Sequence, residues 1–242
     1  MIDTHCHIDL YKNPEEILVE SERAGITVIA MTNLPSHFEM GYHYVLPYKK
    51  IRLALGMHPL YAEQHSREFS LFLKNLHKTS YIGEVGLDFS REGIATKEIQ
   101  LISFQKILKE LGGKKKLLSL HSRRAEKEVL KLLIENNIGN AIFHWYSGPL
   151  TLIDEIVKAG FYFSINPAMI KSESGNKIIK RIPQNHVLTE TDGPFIELNE
   201  RTVHPSDVKL VEIYLSSLWQ KSQEEVSTII KNNFADIILG IR

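Results

Sequence analysis

Ile2-Asp3-Thr4-His5-Cys6-His7-Ile8-Asp9-Leu10 opens the chain with an alternating pattern. Ile2, Thr4, Cys6 and Ile8 take one parity, and Asp3, His5, His7 and Asp9 the other. Side chains of a strand alternate between its faces, so this spacing predicts a strand over 2–10 with His5 and His7 pointing the same way. Two imidazoles converging on one point can hold a transition metal without rearranging the backbone. Cys6 points the other way and reads as a small buried apolar residue. A His-x-His pair alone is weak evidence, because short motifs recur by chance. What surrounds it decides the matter.

Outward from this stretch, the chain alternates short β-branched runs with amphipathic ones. Strands are expected at 27–31, 51–57, 81–85, 117–121, 141–144, 161–165 and 187–190. Helices are expected at 14–24, opened by Asn13-Pro14 and stopped by Gly25, and at 69–77, 96–111, 126–136, 150–159, 177–181, 208–220 and 224–239. Residues 35–50 read as a helix with an irregular end at Pro47. Eight strands, each followed by a helix, over 242 residues argue a parallel sheet and fit an α/β (β/α)8 TIM barrel, one domain over 1–242. A doubly wound open sheet is the structural alternative. No Gly-x-Gly-x-x-Gly or Gly-Lys-Ser/Thr follows a strand, which removes support for a nucleotide cofactor.

With 29 basic and 29 acidic side chains, net charge is zero, so overall charge does not point to nucleic acid. Attraction to a phosphate polymer has to be local. One cysteine excludes an internal disulfide framework and fits a reducing compartment. No apolar run spans a membrane and no secretory signal opens the chain, so the expectation is a cytoplasmic protein without a membrane partner.

Barrel active sites sit at the C-terminal ends of the strands. The polar residues there are His5, His7, His58, Glu84, His121, His144 and Asp192. Five of the 11 histidines fall at expected strand ends; the others, such as His37, His65 and His77, read as solvated. This donor set exceeds what one zinc needs and suits two divalent ions sharing a carboxylate. Asp88 reads either as a loop-capping residue or as part of the site. His58, ahead of Pro59, reads either as a substrate contact or as a structural bond. Arg123 and Arg124 open the helix at 126–136; a guanidinium matches phosphate oxygens bidentately, which makes Arg123 a candidate phosphate contact.

Ile2-Asp3-Thr4-His5-Cys6-His7, Gly56-Met57-His58-Pro59, Gly83-Glu84-Val85-Gly86-Leu87-Asp88, Gln100 with Phe104-Gln105, His121-Ser122-Arg123, His144-Trp145-Tyr146-Ser147-Gly148 and Glu190-Thr191-Asp192-Gly193-Pro194 carry a resemblance. Jointly, and in this order, they resemble the TatD family, metal-dependent DNases of the amidohydrolase-type barrel superfamily. The resemblance implies one metal on His5, His7, Glu84 and Asp192. It implies a second on Glu84, His121 and His144, with Glu84 bridging. It places His58 near the site rather than on a metal. The implied activity is hydrolysis of phosphodiester bonds at DNA ends or in single strands, by a water activated on two ions. Asp192 is the candidate for taking that water's proton, beside the bridging Glu84. Zn, Mn or Co suit the mixed donors; Mg would be unusual with them, although it commonly supports the family's activity.

The chain departs from the family pattern around the mouth. The loop after the first strand is short, 195–205 lacks the Arg-Asn-Pro stretch, and Trp145-Tyr146 replaces a small-residue–Phe pair. Two rivals follow. One is a deacylase or esterase on the same site, aminoacyl-tRNA deacylation included. The other is a weakly active metal-binding subunit, since shortened relatives occur in antiphage defence clusters and would have protein partners there. Oligomeric state stays open.

Overall fold

The computed structural model describes residues 1–198 and 200–241. Its strands are β1 (Ile2–Cys6), β2 (Thr27–Ala30), β3 (Ile51–Leu53), β4 (Leu55–Met57), β5 (Tyr81–Gly86), β6 (Leu117–His121), β7 (Ala141–His144), β8 (Tyr162–Ile165) and β9 (Val187–Thr189), followed by a hairpin of β10 (Glu197–Leu198) and β11 (Arg201–Thr202). The helices are α1 (Pro14–Arg23), α2 (Pro35–Val45), α3 (His65–Asn75), α4 (Lys97–Leu111), α5 (Glu126–Glu135), α6 (Leu150–Lys158), α7 (Pro167–Lys171), α8 (Glu173–Arg181), α9 (Val208–Trp219) and α10 (Gln223–Leu239). Among the described residues no helix is long and apolar enough to cross a membrane.

The strands from β1 to β9 pair in parallel and in chain order, β1-β2-β3 and then β4 through β9. β3 and β4 are two pieces of one wall. Ala54 interrupts them, and its N–H donates to the Ala30 carbonyl at 2.8 Å. β3 pairs with β2 and β4 with β5, so the wall stays continuous. Gly56 sits where a Cβ would lie 1.5 Å from the Thr32 carbonyl, so only glycine permits this approach. The barrel closes between β9 and β1. Instead of a ladder, Thr4 Oγ1 donates to the Thr189 carbonyl (3.1 Å) and Thr189 Oγ1 to the Ile2 carbonyl (2.5 Å). Asp192 N–H donates to the His5 carbonyl (2.9 Å), and His7 N–H to the Gly193 carbonyl (2.7 Å). These bonds lay the last strand's end beside the first. The result is a (β/α)8 barrel.

Strand parity divides the core. Leu117, Ser119 and His121 share one face of β6, as Ile142 and His144 share one face of β7. The lower members join Ile29, Met31, Ala54 and Leu188 in a buried apolar cluster capped by Ile237 and Ile241 near the C-terminus. This cluster fills the barrel floor. A larger one, including Val28, Leu118, Phe143 and Phe163, packs the outer strand faces against the helices. The floor is a wall of side chains, and the inward polar residues are confined to the upper end.

Several boundaries differ from expectation. The first strand ends at Cys6, and Ile8–Leu10 turns in a short 3-10 helix. α3 begins at His65, and α7 and α8 occupy the region where only 177–181 was expected. α5 begins at Glu126, so Arg123 and Arg124 lie in the turn before it, Arg124 with φ of 57°. His65 is buried rather than solvated: Nε2–H donates to the His58 carbonyl (3.0 Å) and Nδ1 accepts from the Ser103 hydroxyl (2.6 Å). A helical wheel around one isolated segment does not reveal that α4 covers it.

Candidate metal centre

β1 delivers His5, and the residue just past its end, His7, to the upper end of the barrel, with their Nε2 atoms 3.2 Å apart. Glu84, on β5, reaches in from across the barrel. Its Oε2 lies 3.2 Å from His7 Nε2 and 3.4 Å from His5 Nε2. Asp192, after β9, brings Oδ1 to 3.6 Å and 3.9 Å from the same two nitrogens. Asp192 has φ of 49°, a left-handed conformation that Asp tolerates better than bulkier residues. Donors around a tetrahedral ion at 2.0–2.2 Å stand about 3.3–3.6 Å apart. Four of the five separations lie within about 0.1 Å of that range, and Asp192 Oδ1 to His7 Nε2, at 3.9 Å, is wider.

The other oxygen of Glu84 faces a different set. Oε1 lies 2.6 Å from His121 Nδ1, at the end of β6, and 2.8 Å from His144 Nε2, at the end of β7. His58, after β4, places Nε2 3.4 Å from Glu84 Oε2, while its Nδ1 accepts the Leu60 N–H at 3.1 Å. Of the two readings the sequence left open, the structural bond is present, since His58 caps this turn, and the ring also reaches the cluster. Three groups among the described residues have donors close enough to share an ion: His5–His144–Asp192, His5–His7–Glu84 and His58–Glu84–His121. All six expected ligands thus converge on one place. Arg123 does not enter the cluster. It stands on the rim, its Nη1 2.6 Å from Glu92 Oε2, with both side chains largely exposed.

Neighbouring polar groups hold several rings in place. His5 Nδ1 meets Ser119 Oγ at 2.7 Å, and His121 Nε2 meets Asp88 Oδ2 at 2.8 Å. Asp88 Oδ1 also accepts the Ser90 N–H (2.8 Å), so it caps the loop and orients His121 at once. Glu190 is fully buried; it accepts from Ser164, from Asn166 Nδ2 (2.9 Å) and from Trp145 N–H (3.0 Å), and lies 3.7 Å from His144 Nδ1. The sequence did not expose the roles of Ser119 and Glu190. The signal for both was inward parity below a candidate ligand, Ser119 two residues before His121 and Glu190 two before Asp192, and Glu190 also opened one of the motifs that carry the resemblance.

The imidazoles and carboxylates of the cluster shift one another's protonation. Burial would raise the Glu84 carboxyl, but His58, His144 and His121 outweigh it and hold it well below the usual range. Burial pushes Asp192 up to about 7, with His144 and His7 pulling the other way. Burial, followed by the neighbouring His144, holds His5 well below the ordinary imidazole value. For His121 burial is outweighed by Glu84 and Asp88, and the ring rises to about 8. For His7 and His144 too, burial is outweighed, by Glu84 at His7 and by Glu84 with Glu190 at His144, and both rings are raised. Around the Glu84 carboxylate these imidazoles hold protons that a divalent ion would displace. Among the described residues, Nδ1 of His7 is buried without a hydrogen-bond partner, so the ring's polar contacts are all on its Nε2 side, toward Glu84 and His5. This donor set fits divalent transition ions, and the residues present fit such a group.

Above the cluster opens a cavity of about 560 Å³, rimmed by Leu10, Leu60, Tyr61, Arg123, Trp145 and Phe195. Ile196, Leu198 and Val203 are buried against Trp145 and Ala168, which anchors the hairpin that follows Asp192.

Comparison with known proteins bears on this geometry. The profile of the family described as TatD related DNase matches residues 2–238. The deoxyribonuclease TATDN3 of Homo sapiens is 26% identical over 262 residues, covering 100% of this chain and 96% of that protein. A metal-dependent hydrolase of Methanocaldococcus jannaschii, MJ1582, is 26% identical, with 96% of this chain and 94% of that one covered. Among solved structures, the TatD homologue YjjV of Escherichia coli superposes with a TM-score of 0.85 at 23% identity, over 98% of this chain and 97% of that one.

Proposed function

The chain belongs to the TatD-related DNase family, and on that premise we propose that it is a metal-dependent deoxyribonuclease that hydrolyses phosphodiester bonds at DNA ends, with residues 1–242 forming one hydrolase domain. One observation carries the metal part of the reading: the two oxygens of Glu84 face different sets of imidazoles, Oε2 toward His5 and His7 and Oε1 toward His121 and His144. A carboxylate so placed suits two ions. His5, His7, Glu84 and Asp192 would hold one, and Glu84, His121 and His144 the other. Bound there, divalent ions would supply Lewis acidity toward the phosphate oxygens and acidify a water. Zn, Mn or Co suit these nitrogen-rich donors better than Mg.

The chain's own groups do the rest. Asp192 brings its carboxylate to the cluster, with Oδ1 3.6 Å from His5 Nε2, from where it can take the proton of the attacking water. Ser119 and Asp88 fix which nitrogen of His5 and His121 faces inward. His58 closes the side of the cluster next to Leu60 and Tyr61. Arg123, on the rim, exchanges Glu92 for a substrate phosphate; the pair is exposed, so separating it costs little. The test is elemental analysis of purified protein together with assays on labelled single-stranded DNA and on carboxyl esters. About two ions per chain and cleavage of DNA alone are expected. Ester hydrolysis without DNA cleavage would assign the site to acyl transfer instead.

A further inference from the structure

Nothing in the proposed reaction uses the apolar wall of the cavity mouth. Phe195 is 58% exposed, Leu60 42%, Leu10 39% and Tyr61 36%, and all four rim the same cavity. Large apolar side chains gathered in the open around one cavity mark a binding surface. Two of the aromatic residues there are also held firmly. Phe195 N–H donates to the Asp192 carbonyl (3.0 Å), and its ring stands edge-on to His7 at 5.2 Å. The residue after it, Ile196, is sunk into the hairpin's own small core with Leu198 and Val203. Trp145 has φ of 37°, and its N–H is tied to the buried Glu190 at 3.0 Å. A bulky residue in that region is strained, and it persists where the surroundings impose it. The fold therefore places both rings beside the cluster of candidate ligands.

Charge points to what the wall receives. Among the described residues lining the cavity, Arg123 is the one Lys or Arg, and Glu92 already faces it. A site that follows a nucleic-acid backbone needs several cations along the path, because affinity comes from phosphate neutralisation. Here one is available. Aromatic faces offer the other source of affinity for nucleic acid, stacking, which every base can use once unpaired.

We propose that Phe195 and Trp145 form a stacking platform for an unpaired nucleobase next to the scissile phosphate. The chain then grips a splayed single-stranded end by its bases rather than by its phosphates. This rests on the deoxyribonuclease reading above. An acyl chain fits the wall less well: on a ring more than half exposed it stays largely in water, whereas a base lays its flat face on the ring and keeps its polar edge wet.

The experiment uses the full chain, metal-free in chelator so that nothing is cleaved, and a labelled oligothymidylate read by anisotropy. A second probe is the same strand with its terminal bases removed. The base-bearing strand should bind roughly ten- to a hundredfold more tightly, the range for stacking on one aromatic residue. Phe195→Ala should remove that difference and leave binding of the abasic strand unchanged, and Phe195→Tyr should restore it. The slope of log affinity against log salt should stay at roughly −0.7, as expected for about one phosphate contact on a single strand. Equal affinity for the two strands, or a slope several times steeper, overturns the platform. So does hydrolysis of acyl esters that rises with chain length and is lost in Phe195→Ala. Cleavage with manganese separates the two readings. If both strands are cut equally well, the platform is wrong and the nuclease stands; if neither is cut, the nuclease reading falls and the platform with it.

Discussion

The floor and the mouth of this barrel are built from the same strands, two residues apart. On β7, Ile142 belongs to the dry floor and His144 to the cluster around Glu84. On β6, Leu117 lies at the floor, Ser119 one layer up against His5, and His121 at the top. Each step of two keeps the direction and changes the height. At the floor the requirement is volume, met by Leu, Ile and the cap from α10. At the mouth it is a set of imidazoles and carboxylates brought together around Glu84, each buried group held by a polar neighbour. One end is built for stability and the other carries groups that resist being buried together. A substitution at either end should therefore produce a different kind of loss.

Glu84→Ala should have the largest effect. Both halves of the cluster depend on this carboxylate, so both ions and all measurable turnover should disappear, as read by elemental analysis beside a nuclease assay. Full metal content in that variant would mean that the two halves do not share Glu84. Asp192→Asn should come next. It keeps the shape but cannot accept the proton, so turnover should fall roughly a hundredfold or more while at least one ion and DNA binding persist. Near wild-type turnover with metals in place would move the base elsewhere, to His58 first.

At the floor the prediction reverses. Leu188→Ala should cost about 2–5 kcal/mol of stability in urea unfolding, the usual range for emptying a buried leucine. Its metal content should match wild type. If Leu188→Ala sheds metal while keeping its stability, the separation of floor from mouth is false.

His65 sharpens the comparison from outside the barrel, as a buried imidazole with both nitrogens partnered. Burial lowers it to about 4 from an ordinary 6.5. The unfolded ring therefore binds its proton at a higher pH than the folded ring. Its contribution is complete above pH 6.5 and is lost as pH falls toward 4, up to roughly 3 kcal/mol. Unfolding at pH 7.5 and pH 4.5 should show that loss in the wild type and a smaller one in His65→Gln. An equal loss in both would assign the pH dependence to the cluster alone.

The smallest effect should be that of Arg123→Ala. It should raise KM and flatten the salt dependence by roughly 0.7 of a unit of slope on single strands, with kcat nearly unchanged. A salt dependence identical to wild type would remove Arg123 from the phosphate path.

Much was decided by local sequence. The alternation through Cys6 sets His5 and His7 on one face, and their Nε2 atoms do meet at 3.2 Å. Repeating the strand–helix unit eight times leaves few ways to bury every strand, and a closed barrel is one of them. Candidate ligands then fall at one rim because they fall at strand ends. These features depend on periods of two and 3.6 residues, which a single segment displays by itself. Tertiary structure alone decided the partnerships. Asp88 could have been only a loop cap until His121, 33 residues on, came within 2.8 Å of it. Ser119 gave no sign of holding His5, 114 residues away, and His65 looked solvated until α4 covered it with Ser103. The threonine bonds that close the barrel join residues 185 and 187 apart. Such contacts depend on how the elements pack in three dimensions, and no local period in the chain records that packing.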